Sequence, residues 1–88
     1  MIYIVKITGY DDTGGGVISE LASFPSLKQA KKYFSDRVEF YEDEEEGYIE
    51  EGDGHWSWHF NDAFVDINIH KSKTPKKKSE VVDLINSL

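Results

Sequence analysis

The chain has 88 residues with 17 acids against 10 bases, a formal net charge of −7, which argues against general nucleic-acid binding because phosphate would be repelled. That length supports one domain, residues 1–88, with room for one sheet and two helices. There is no cysteine, which excludes a disulfide framework and thiolate zinc sites and fits a cytoplasmic protein; no apolar run approaches the roughly 18 residues of a membrane span, and Met1 leads straight into an alternating pattern rather than a signal peptide.

Residues 2–8 are rich in β-branched and aromatic side chains on both alternating faces, the pattern of a central strand. Residues 9–16 are turn chemistry throughout, and residues 17–23 read as the second strand of a hairpin. The glycines at 14–16 do not make a phosphate loop, because they join two strands and lack the Gly-Lys-Ser/Thr ending. A calcium loop starting at Asp11 fails because Ala22 stands where the bidentate Glu is needed.

Ser26 to Gln29 reads as a capping box, with the Ser26 hydroxyl accepting from the Gln29 amide and the Gln29 side chain reaching back to Ser26 N–H. Leu27, Ala30, Phe34, Val38 and Tyr41 then recur at steps of three and four, an apolar stripe that needs a sheet beneath it. The charges run against the helix dipole. Lys28, Lys31 and Lys32 sit in the first turns, and acids crowd the end that prefers cations. From residue 38 to residue 54 there are nine acids, Glu39, Glu42, Asp43, Glu44, Glu45, Glu46, Glu50, Glu51 and Asp53, and no Lys or Arg.

Tyr48 and Ile49 suit a short edge strand, and Gly52-Asp53-Gly54 a turn. Residues 55–60 and 63–70 alternate strictly. With Asn61-Asp62 as a two-residue turn, Phe60 pairs with Ala63, Trp58 with Val65 and Trp56 with Ile67, placing all six on one face, the seat for the helix stripe. The other face carries His55, Ser57, His59, Asp66, Asn68 and His70, with Phe64 as its large apolar member. A basic segment from Lys71 to Lys78 follows, and Ser79 caps a final helix with Val81, Val82, Leu84, Ile85 and Leu88 on its apolar face. The expected fold is α+β, in the order β-β-α-(β)-β-β-α, an antiparallel sheet with helices on one face.

No nucleophile with an identifiable base, no cofactor fingerprint and no metal cluster stands out, so neither catalysis nor a cofactor is expected. His55 and His59 are about 13 Å apart along a strand, too far to share one zinc ion. The acidic tract is interleaved with Phe40, Tyr41, Tyr48 and Ile49 and bracketed by structured elements. Carboxylates around aromatic anchors are what a protein needs to occupy a basic, nucleic-acid-binding surface of another protein. The expected partner-binding residues are Glu39, Tyr41, Glu42, Asp43, Glu44, Glu45, Glu46, Tyr48, Glu50, Glu51 and Asp53, in a monomer or homodimer that touches neither nucleic acid nor membrane. The alternative is a nucleic-acid-binding or regulatory domain using the Lys71 to Lys78 segment; a second is a small metal-dependent enzyme using His55, His59 and Asp66. In size and charge pattern the chain resembles the small acidic nucleic-acid-mimic inhibitors, including those that phages use against restriction or CRISPR systems. That resemblance implies a protein partner and assigns no residue roles.

Overall fold

The computed structural model describes residues 1–11, 16–42 and 47–88. The element order is β1 (Ile2–Asp11), β2 (Gly16–Phe24), α1 (Leu27–Glu42), β3 (Tyr48–Gly52), β4 (His55–Phe60), β5 (Ala63–Ser72) and α2 (Lys78–Ser87). The strands form one antiparallel sheet in the order β2-β1-β5-β4-β3. The α+β class and the element order are those the sequence predicts, and residues 48–52 do join the sheet as its outer strand. β1 is an interior strand, paired on both sides by β2 and β5, as its two apolar faces require.

The β4–β5 register is Trp56 with Ile67, Trp58 with Val65 and Phe60 with Ala63. Asn61 has a φ of 53°, the left-handed conformation that a tight hairpin turn demands and Asn tolerates. On the same sheet face β1 contributes Val5 and Ile7, and the core is Val5, Ile7, Ala30, Trp56, Val65 and Ile67. Tyr3, Ile18, Phe24, Tyr33, Phe34, Val38, Tyr41, Trp58 and Ile69 pack around it.

α1 lies across β2, β1 and β5. Its start is fixed as the sequence demands. The Gln29 amide donates to Ser26 Oγ at 3.3 Å, while the Ser26 hydroxyl donates to Gln29 Oε1 at 3.2 Å, so the glutamine side chain satisfies the serine hydroxyl rather than its backbone N–H. The expected stripe holds at Ala30, Phe34, Val38 and Tyr41, and differs at its start. Leu27 is 39% exposed, whereas Tyr33 packs against the core and meets Phe24, ring centroids 5.3 Å apart.

α2 is different. It buries none of its residues fully, and a hydrogen bond from Lys6 Nζ to the Leu88 carbonyl joins its end to the sheet. Lys6 alternates with Val5 and Ile7, so this contact lies on the face away from α1, and the two helices do not share one face as the sequence pattern suggests. Ser79 is not the cap. The helix starts at Lys78, its N-cap Lys77 makes no side-chain cap bond, and Glu80, in the first turn, accepts from the Lys76 backbone N–H at 2.7 Å. An acid there suits the dipole, and the helix begins two residues earlier than a Ser79 cap would allow.

Candidate functional site

The strand register decides where each acid of the tract projects. β3 pairs Tyr48 with His59, Ile49 with Trp58, Glu50 with Ser57 and Glu51 with Trp56. Because successive side chains alternate, Ile49 and Glu51 lie on the α1 side with the tryptophans, and Tyr48 and Glu50 on the far side. β3 is exposed at every position, so this edge shows carboxylates on both faces.

On the α1 side, the end of the helix and the β3–β4 hairpin enclose a shallow groove of about 300 Å³. Glu42 and Glu51 line it, together with Phe34, Ser35, Val38 and Trp56, near Gly52 and His55. Apolar side chains beside two carboxylates in one groove suit the aliphatic stem and charged head of a Lys or Arg. The Trp56 indole N–H, buried in this region, has no hydrogen-bond acceptor among the described residues. Glu39 and Asp53 are exposed nearby in the chain, at the end of α1 and in the β3–β4 turn. Asp43, Glu44, Glu45 and Glu46 lie outside the described residues.

The two tyrosines expected to act as anchors are separated. Tyr48 is 62% exposed on the far face. Tyr41 packs against the core on the α1 side, with its ring edge-on to Phe40 at 5.0 Å. The Arg37 guanidinium lies 5.6 Å from the Tyr41 ring centroid and 5.3 Å from that of Phe40. Arg37 also pairs with Glu20 on β2 at 2.5 Å. It is the chain's sole arginine, and this is the one ion pair among the described residues. Glu39, Glu42, Glu50, Glu51 and Asp53 therefore carry charge that no described base neutralises.

The polar face holds the histidines apart. His55 lies opposite Asn68, His59 opposite Phe64 and His70 opposite Ile4. Asp66 faces Ser57, diagonal to both His55 and His59. Among the described residues no three His, Asp or Glu side chains converge as a metal site. The Lys71 to Lys78 segment is divided between the end of β5, the connector and the first residue of α2. A basic surface that the sequence reading passed over lies at the start of α1, where Lys28, Lys31 and Lys32 line a shallow concavity with Ser26, Gln29 and Ser35. Its signal was present in their helical spacing of three and four.

No helix among the described residues is long and apolar enough to cross a membrane. The site and fold together define a small α+β domain with an acid-bearing sheet edge. No protein-family model matches the chain, and neither a curated protein nor a solved structure is detectably similar to it.

Proposed function

We propose that this is a cytoplasmic protein-binding module that places its acidic edge on a basic, nucleic-acid-binding surface of a partner protein, a nucleic-acid mimic of the kind phages use against restriction or CRISPR systems. The observation that carries this reading is the set of carboxylates with no ion pair among the described residues, Glu39 and Glu42 at the end of α1 and Glu50, Glu51 and Asp53 on β3 and its turn, in a chain of net charge −7. Charges that a domain needs for its own stability are paired or spread; these repel one another in the free protein, and a cationic partner relieves that repulsion. Asp43, Glu44, Glu45 and Glu46 add to the same charge in sequence. The α1 lysines at the opposite end of the helix make the molecule electrically polar, which orients it during approach.

The test is affinity capture from the native cell lysate with the wild type and with Glu44/Glu45/Glu46→Gln, followed by competition between the captured protein's nucleic acid and this chain. The expected result is a nucleic-acid-binding protein retained by the wild type, lost by the variant, and unable to hold its nucleic acid when this chain is bound. Recovery of the same proteins by both forms, or salt-sensitive retention of nucleic acid itself through Lys76, Lys77 and Lys78, overturns it.

A further inference from the structure

The sheet face away from α1 carries a row of rings that solvation alone does not explain. Tyr10 on β1 is directly opposite Phe64 on β5, Phe64 is opposite His59 on β4, and His59 is opposite Tyr48 on β3. These four side chains form one register row, about 14 Å long at roughly 4.8 Å per strand. Tyr10 is 42% and Tyr48 62% exposed. The His59 and Phe64 rings are nearly parallel, 18° apart with centroids at 6.3 Å.

The next row on this face is polar. Thr8, Asp66, Ser57 and Glu50 pair across the same four strands, with Ser57 buried, Thr8 and Asp66 half-buried and Glu50 exposed. Asp66 is two residues from Phe64 and Glu50 two from Tyr48, so each carboxylate borders a ring on the same face. Neither is in an ion pair among the described residues. Lys6 stands one row further on and is engaged by the Leu88 carbonyl.

We infer that this row is the contact surface for arginine side chains of the protein partner; the inference rests on the basic-partner reading above and names where, beyond the acidic edge, that partner is held. A guanidinium is flat and weakly hydrated. It stacks on a ring while its in-plane N–H groups reach a neighbouring carboxylate, which a lysine ammonium does less well. The protein builds the same arrangement internally, where Arg37 lies over the Phe40 and Tyr41 rings and reaches Glu20. Stacked nucleobases would fit the rings, but their phosphates would meet Asp66 and Glu50.

The test is an NMR titration of the full chain with an oligo-arginine peptide, an oligo-lysine peptide of equal length and a single-stranded oligonucleotide. The expected result is tighter binding of oligo-arginine than of oligo-lysine, with shifts at the Tyr10, His59, Phe64 and Tyr48 rings. Tyr10→Ala with Tyr48→Ala should weaken oligo-arginine binding about tenfold and remove the preference, at roughly two- to fivefold per exposed ring. The Tyr10→Phe, Tyr48→Phe pair should retain it. Thermal melts check that the alanine variant is folded, and the wild-type ring shifts decide the matter if it is not. Equal affinity for both peptides without ring shifts overturns the row while leaving the basic-partner reading intact. Binding of neither peptide overturns both, and oligonucleotide binding at the rings replaces them with a nucleic-acid platform.

Discussion

Arg37→Ala should loosen α1 from the sheet, and the cost can be estimated from what the guanidinium touches. The Arg37 side chain is 25% exposed and Glu20 42%, so their ion pair is partly screened and contributes at most about 1 kcal/mol. Stacking over Phe40 and Tyr41 adds roughly 0.5–1 kcal/mol, and the packed aliphatic stem about as much again for each methylene lost, at about 0.8 kcal/mol when fully buried. Against these stand the buried Arg37 Nε, which has no acceptor among the described residues, and up to about 2 kcal/mol of side-chain entropy regained on truncation. The net loss is about 1–2 kcal/mol, a fall of roughly 5–15 °C in Tm for a domain of this size. Thermal unfolding followed by circular dichroism measures it, and Arg37→Met, which keeps the stem, should lose about half as much. A double-mutant cycle with Glu20→Gln should give a coupling of roughly 0.5 kcal/mol that shrinks in high salt. If Arg37→Ala melts with the wild type, or the coupling is zero at low salt, the helix is held by its apolar stripe alone.

Ser26→Ala should cost about 1 kcal/mol by removing the cap that accepts from the Gln29 amide, measured as a lower urea midpoint with an unchanged slope. Gly47→Ala should be more damaging: its φ is 124°, and a Cβ there would collide with the Trp58 ring and sit 2.8 Å from the His59 carbonyl. A loss of about 1–3 kcal/mol is expected, accompanied by a change in tryptophan fluorescence. Replacing Glu39, Glu42, Glu50 and Glu51 together by Gln should leave the melting temperature unchanged or slightly raised at low salt, because exposed like charges are being removed; a pronounced destabilisation would mean that the edge is structural. In the complex, charge reversal at Glu42 and Glu51 should slow association, whereas Tyr48→Ala should speed dissociation, as surface plasmon resonance across a salt series would resolve.

Much of this fold can be read from local pattern. The alternation on either side of Asn61 and Asp62 leaves one register that buries Trp56, Val65 and Ile67 together, and Ser26 with Gln29 marks the start of α1 without reference to anything else. The errors arise where a side chain's fate depends on a distant strand. Leu27 has the right spacing for the stripe yet stays exposed, while Tyr33 is added to it because it meets Phe24, a partner on β2 that the helix sequence does not contain. Ser79 is a good cap in isolation, yet Glu80 serves Lys76 one turn earlier. The acidic tract reads as one surface in sequence. Only the pairing of β3 with β4 divides Glu51 from Glu50 and turns Tyr48 away from Tyr41, and the row joining Tyr10, Phe64, His59 and Tyr48 exists in no single stretch of chain.

The central pairing of β1 with β5 joins the two ends of the chain, and it constrains how the protein is made. β1, β2 and α1 can come together as soon as they are synthesised, with α1 laid over Val5 and Ile7, but the other edge of β1 stays unpaired until Ile67 and Ile69 arrive to lie beside them. A native core is therefore assembled late, through contacts of high sequence separation, which close slowly. In the interval β1 has an open edge, a feature that draws chains into aggregates. The surplus of carboxylates is already present in the nascent chain by the end of β3, and mutual repulsion between such intermediates keeps them apart until β5 completes the sheet.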